Sequence, residues 1–287
     1  LGPVLVGPSG QLATILGVNP TTSIALAQTG FMKSFLPAVN FNGGLTTGPW
    51  LIASFMYGLS FLITLIFLRP DPSLVAKQYS TDDEAKIDEP DKGRSTRELL
   101  RLPDVQLAII AMLISQTVMV TLMTITPWHM HQASHPNTAV SLVISAHTLG
   151  MFGLSALTGY LIDRYGRVQM MIIGAITLIA SAIIAPLSTQ LPYLVVGLFL
   201  LGLGWNFGYI AGSSMLADAL RGAERSRMQG FNDMLIAFSA GLGTLSSGFL
   251  FDFGGYLLVS IGGALLTVIL MILIRQISSK QVRLQTT

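Results

Sequence analysis

Cysteine is absent from this chain and charge is scarce, and each absence closes off a class of function. Without a thiol there is no disulfide, no thiolate metal site and no thiol redox chemistry. Only 10% of the 287 residues are charged, where a water-soluble domain carries roughly a quarter, so a soluble globular body is excluded. A phosphate loop ending in Gly-Lys-Ser/Thr does not occur, which leaves nucleotide hydrolysis unsupported as an energy source. Within the apolar stretches there is no nucleophile–base pair and no metal–carboxylate set. Ser213, Ser214 and Asp218 lack a base placed to activate a hydroxyl, and the chain is not read as an enzyme. No cofactor is expected. A net charge of +2 says little about partners, and no nucleic-acid partner is expected. The chain opens at Leu1 rather than Met, inside an apolar stretch studded with Gly and Pro and without a charged leader. A sequence truncated at its N-terminus is expected.

What the chain has in abundance is apolar surface. Apolar residues make up 51%, gathered in recurring runs of about 18 residues or more, long enough to cross a bilayer core as helices. The runs do not alternate, which argues against a transmembrane barrel. Residues 1 to 18 read as the outer part of a kinked membrane helix, in which Gly2-Pro3 and Gly7-Pro8-Ser9-Gly10 supply a hinge. Proline there frees a carbonyl and glycine admits a neighbour. Residues 19–47 are mixed, with Lys33 the only charge, and the apolar stretch from Phe31 to Val39 is too short to span; it suits a lid or an interfacial segment. Trp50 to Leu68 is the next span, anchored by Trp50 at the membrane surface and ended by Arg69 and Pro70.

From Arg69 to Pro103 the composition turns charged, with Asp82-Asp83-Glu84 and Asp88-Glu89 beside scattered Lys and Arg. This is a solvated linker. Ser95-Thr96-Arg97-Glu98 has capping-box spacing and predicts a short amphipathic helix at its end. Six further spans follow at 104–127, 138–161, 168–187, 192–219, 229–251 and 255–274, joined by short connections. Counted alternately, these spans put the basic residues of the linker, Arg164 and Arg167, Arg221, Arg225 and Arg227, and Arg275, Lys280 and Arg283 on one side. Lys33 alone falls opposite. The basic side is cytoplasmic.

The stretch Gly159-Tyr160-Leu161-Ile162-Asp163-Arg164-Tyr165-Gly166-Arg167 is a charged turn between two apolar runs. Asp163 sits at the C-terminal end of its helix, where the dipole disfavours an anion, so it calls for a partner elsewhere. Gly159 and Gly166 allow close approach and a sharp turn, while Arg164 and Arg167 stay in water or at head groups. The pattern resembles the G-x-x-x-D-R-x-G-R signature of the major facilitator superfamily, in its second copy between helices eight and nine. Its tail departs: Val168 stands where a basic residue is usual. The Gly/Pro pattern at Gly7, Pro8 and Gly10 resembles that of helix five in facilitator antiporters. Runs such as Gly202-Leu203-Gly204-Trp205-Asn206-Phe207 and Arg227-Met228-Gln229-Gly230-Phe231-Asn232-Asp233 resemble those of bacterial members.

The resemblance implies an all-α membrane protein of the major facilitator fold, with about eight of twelve helices present, numbers five to twelve. Residues 1–68 are then the last two helices of an N-terminal bundle, 69–103 the cytoplasmic linker, 104–275 the C-terminal six-helix bundle and 276–287 a cytoplasmic tail. A complete relative binds substrate between two six-helix halves near the bilayer midplane.

Polar residues inside a span point to a pathway. Gln116 lies about 18 Å into its span and His147 about 14 Å, both near mid-bilayer, and Trp205 and Asn206 fall somewhat past the middle of theirs. In the facilitator fold these spans line the cavity, so Gln116, His147, Trp205 and Asn206 form a candidate substrate layer. Trp205 is its apolar or stacking wall and the amides its orienting groups. His147 titrates near neutral pH and is also a candidate for carrying a coupling proton. Inter-helix hydrogen bonding without substrate, and a permanently neutral core histidine, are the plainer alternatives. Asp163, with its turn residues Gly159, Arg164, Gly166 and Arg167, is a candidate gating contact. So is Asp233, placed about one turn inside its helix, where the dipole favours an anion. His129, His131 and His135 in an outer loop are weak candidates for a divalent metal, and no metal is expected. Met151, Ser155 and Gly159, and Ser239, Gly243 and Ser247, recur every four positions and mark close helix contacts.

The function expected on this basis is secondary active transport of a small molecule across the inner (cytoplasmic) membrane by alternating access, with H+ as coupling ion and a lean toward efflux by antiport. Proton-coupled import of a metabolite, or a transport-inactive receptor or scaffold on the same fold, are the alternatives. A small-molecule substrate and the lipid bilayer are the expected partners of a multi-pass protein that is monomeric when complete.

Overall fold

A computed structural model of the chain describes residues 44–69, 93–221 and 223–286. Among the described residues every regular element is helical and no strand occurs. The Gly7, Pro8 and Gly10 hinge, Lys33, the Phe31–Val39 stretch and the acidic clusters of the linker lie outside them. The chain divides into two units, Leu1–Asp91 and Lys92–Thr287.

In the first unit, helix α1 (Gly44–Phe67) covers the stretch expected to span from Trp50 as far as Phe67, and leaves Leu68 outside it. Its large apolar side chains, Phe55, Phe61 and Phe67 among them, are exposed, as suits a helix whose surroundings are lipid or other helices.

The second unit begins with the short helix α2 (Thr96–Leu99). The capping box forms as its spacing predicts: Ser95 Oγ accepts from Glu98 N and Ser95 N donates to Glu98 Oε2. Helix α3 (Pro103–Gln132) follows, with Pro103 at its first turn, where a missing N–H costs nothing. Next comes a broken span: α4 (Asn137–Thr148), a π-turn (Leu149–Gly153) and α5 (Ser155–Tyr165), bent by 43°. Helix α6 (Arg167–Ile184) closes in a 3-10 turn (Ala185–Leu187), and α7 (Leu191–Ala219) starts with Pro192 in its first turn.

The last element, α8 (Ala223–Thr286), is broken at Gly254 (φ −152°, ψ 19°) and Gly255 (φ 63°, ψ −163°). An unbroken apolar helix from Glu224 to Ser278 would be about 80 Å long, far more than a ~30 Å bilayer core admits. The glycine break makes it two spans. A positive φ with ψ near −163° is open only to glycine, so the break is written into the sequence.

Helices α3, α4 and α6 pack on α7, and its glycines are the reason; α8 packs on α3 and α6 instead. A Cβ on Gly202 would fall well inside 3.0 Å of His147 O and 2.9 Å from Met151 N; one on Gly150 would press on the Phe199 carbonyl and lie 2.9 Å from Leu203 N. Gly204 and Gly174 make the same backbone approach between α7 and α6, and Gly212 meets α3 at Met112 and Ala108 O. Inside a membrane no hydrophobic force drives helix to helix, so close backbone approach through small residues carries the association. Buried Met112, Met171, Leu216 and Met228 fill one core cluster. Val118, Leu122, Leu178, Leu198 and Tyr256 fill the second. Gly243, one of the small residues spaced by four, meets α3 at Thr121 and Thr117.

Candidate functional site

The four residues of the expected polar layer are placed on two faces of α7 rather than in one ring. Trp205 and Asn206 are neighbours in sequence, so their side chains point about 100° apart. Trp205 turns to α3, where its Nε1 donates to Gln116 Oε1 at 2.8 Å. Gln116 is the fourteenth residue of a 30-residue helix and Trp205 the fifteenth of a 29-residue one, so the bond lies at mid-span. Around it stand two aromatics that sequence reasoning missed. Tyr209 stacks on Trp205 at 4.7 Å between ring centroids, and Phe152 meets it edge-on at 6.0 Å and 74°. Trp205 is 9% exposed and Phe152 60% exposed. Tyr209 was legible as Trp205 plus four on one helix face; Phe152 comes from another helix and gave no signal of its own.

Asn206 turns the other way and is fully buried. Its Nδ2 donates to Met151 O at 2.5 Å and to Ser155 Oγ at 3.1 Å, and its Oδ1 accepts from Thr158 Oγ1 at 2.5 Å. Both amide N–H donors are therefore used by the broken span. His147 is buried between α4 and α7; its Nδ1 faces Leu198 O at 3.0 Å, and its Nε2 has no hydrogen-bond partner among the described residues.

The signature turn is built on Gly166, with φ 89° and ψ 159°. One residue ends α5, donating to Ile162 O at 2.8 Å, and opens α6. Arg167 reaches across to α7, where Nε donates to Ser214 Oγ at 3.1 Å and the guanidinium pairs with Asp218. Arg164 donates to Tyr160 OH at 3.0 Å. Asp163 is exposed and makes no ion pair among the described residues. Gly159 differs from expectation: no atom of the described residues lies within 4 Å of a Cβ built there, so close approach at this position is not seen within the bundle.

The placing of Asp233 is corrected. Helix α8 starts at Ala223 rather than near residue 229, which puts Asp233 about 15 Å along it, beyond reach of the terminal dipole. Its Oδ1 accepts from Gln229 Nε2 at 3.2 Å instead. The carboxylate in the first turn is Glu224, which sequence reasoning passed over. Glu224 lies ahead of the apolar run, is 5% exposed in its side chain, and takes Arg94 on both oxygens: Nη2 at 2.8 Å on Oε2, Nε at 3.0 Å and the Arg94 N–H at 2.8 Å on Oε1. Arg221 N adds a bond at 3.1 Å, Arg94 Nη2 also reaches Ala219 O at 3.0 Å, and Arg227 donates to Arg94 O. The Arg94 hydrogen bonds hold the Glu224 carboxyl down at about 2, against a desolvation that opposes them.

The three outer histidines do not converge. His129 stacks on Tyr256 at 4.5 Å, and His135 Nε2 lies 2.7 Å from Thr189 O. Among the described residues no group of His, Cys, Asp or Glu is arranged to hold a metal.

Residues 107–285 match the family model of the Major Facilitator Superfamily. The chain is 38% identical over 229 residues to the uncharacterized MFS-type transporter YdeG of Bacillus subtilis (strain 168), covering 78% of this chain and 52% of that protein. It is 34% identical over 230 residues to the uncharacterized MFS-type transporter YddS of the same organism, with the same coverage. To the riboflavin transporter RfnT of Brucella anthropi it is 34% identical over 166 residues, 58% of this chain and 42% of that protein. The chain spans about half the length of the curated relatives it matches.

Proposed function

Since the chain belongs to the Major Facilitator Superfamily, we propose that it serves in a secondary transporter that moves a small, flat, ring-bearing molecule across the membrane by alternating access, exporting it in exchange for protons. The observation that carries this reading is the Gln116–Trp205 hydrogen bond at mid-span, flanked by Phe152 and Tyr209. Ring faces with one amide among them suit a conjugated ligand that stacks and accepts a single orienting hydrogen bond. The name of RfnT, a riboflavin transporter, supports the same substrate chemistry.

His147 is the candidate proton carrier. When its Nδ1–H donates to Leu198 O, Nε2 is left as a base with no partner. Among the described residues Asp163, Asp218, Asp233 and Asp252 are exposed, whereas His147 is buried within its span. The lean toward export rests on the Gly7, Pro8 and Gly10 pattern.

Full-length protein reconstituted into vesicles tests the reading with riboflavin and smaller flat heteroaromatics as probes. Exchange predicts uptake driven by an acid lumen; uptake driven by an alkaline lumen instead would establish proton-coupled import. A folded protein that neither moves these probes nor gains thermal stability from them would overturn the substrate class and favour the receptor or scaffold.

A further inference from the structure

The broken span α4–α5 contains a π-turn whose bend is held from outside by one side chain. A π-turn inserts one extra residue into an α-helical ladder and recurs at functional sites, because it costs stability and persists only when something fixes it. Here the backbone leaves the helix at Leu154, with φ −107° and ψ 13°. Upstream of that residue Asn206 Nδ2 bonds Met151 O; downstream it bonds Ser155 Oγ, and Asn206 Oδ1 takes the Thr158 hydroxyl. The amide thus brackets the break from both sides. The upstream half is further pinned to α7 by the backbone contacts at Gly150 and Gly202, whereas nothing among the described residues lies within 4 Å of a Cβ at Gly159 downstream.

Phe152, which meets Trp205, lies inside the same π-turn. We propose that Asn206 is a positioning residue for transport: by fixing the π-turn it holds Phe152 against Trp205 and sets the rotation of α5, and with it the signature turn. If the π-turn relaxed to plain α-helix, everything downstream would rotate by about 100° and shift by about 1.5 Å. That motion would withdraw Phe152 from the ring cluster and turn Asp163 to a new face in one step. The functional half of this inference rests on the transport reading above; the structural half does not.

This stretch holds no cysteine, so labels are placed by single substitutions, with any cysteine elsewhere in the full-length protein replaced by Ser. Spin labels at Leu142→Cys and Tyr160→Cys, both exposed and on opposite sides of the break, report the bend as a distance distribution in the full-length protein by pulsed electron resonance. The expected result is one narrow distribution in the parent, a shifted or broadened one in Asn206→Ala and Thr158→Val, and recovery in Thr158→Ser, which keeps the hydroxyl. Trp205 emission, read with Trp50, Trp128 and any further tryptophan of the full-length protein replaced by Phe, should change in the same variants and recover in the same one. Riboflavin affinity should fall roughly three- to tenfold on loss of the aromatic edge contact. Unchanged distances in both Asn206→Ala and the milder Thr158→Val overturn the bracket, whether or not riboflavin is transported. Altered distances with unaltered flux in a transporting protein overturn the positioning role. A parent that moves no probe sinks the transport reading and the positioning role that rests on it, and leaves the bracket to the distances.

Discussion

The crossing of α4 and α7 offers a quantitative test of the packing. Gly202→Ala adds a single methyl group whose nearest neighbours are backbone atoms, His147 O and Met151 N. Neither can rotate away, so the helices must part by about 1.2 Å at the His147 carbonyl to restore ordinary contact at 3.4 Å. Overpacking a well-filled interior costs about 1–3 kcal/mol, and a backbone-on-backbone clash belongs at the upper end. For a unit of this size each kcal/mol moves the thermal midpoint by about 2–4 °C, so the expected fall is about 6–12 °C. The same separation lengthens the His147 Nδ1 to Leu198 O contact of 3.0 Å. Gly262→Ala is the control: its nearest neighbour, Leu250 Cδ1, is already at an ordinary 3.4 Å, and the midpoint should stay put or rise slightly, since alanine favours a helix by up to ~1 kcal/mol. Scanning fluorimetry in detergent reads both. A Gly202→Ala midpoint within about 1 °C of the parent's would refute the backbone contact as the support of this crossing.

Four further outcomes are expected. Gly166→Ala forces a φ of 89° on a residue with a Cβ and should cost about 1–2 kcal/mol, seen as a lower midpoint. Gln116→Leu should weaken riboflavin binding about tenfold by leaving the indole N–H unpaired, while Tyr209→Phe, which keeps the ring that stacks on Trp205, should bind as the parent does. Transport by His147→Gln should lose its dependence on the pH gradient while riboflavin exchange without a gradient persists; full retention of the dependence removes His147 as the proton carrier. Acid should loosen the Arg94–Glu224 clamp. Because the Glu224 carboxyl is held at about 2, below its ordinary 4.5, the clamp contributes in full above pH 4.5 and is lost as pH falls through 2. Thermal midpoints between pH 7 and 3 should therefore show an acid component in the parent that Glu224→Gln lacks.

The span pattern was legible because apolar run length and the side on which Arg and Lys fall are properties of the chain itself. The breaks were less so. Gly254-Gly255 marks a boundary that short apolar counts already implied, whereas the π-turn at Leu149–Gly153 leaves no compositional trace and exists through contacts to Asn206 on another helix. For the same reason Asn206 read as a cavity amide: its depth follows from its place in the run, but which way it faces depends on the rotation of α7, fixed by glycine contacts distant in sequence. Glu224 was hidden by its company, one carboxylate among arginines in an apparent loop. Its partner Arg94 lies 130 positions away, beyond any local pattern.

That distance has a mechanical meaning. Arg94 stands at the threshold of the bundle, and its guanidinium and backbone are tied to Glu224, Ala219 and Arg227. A tug on the chain ahead of residue 93 is therefore taken up at the junction of α7 and α8 before it can unwind α2 or drag on α3. The clamp works as a strain relief, like the collar where a cable enters its housing: load arriving at Arg94 meets the α7–α8 junction first, and the helices beyond it keep their register.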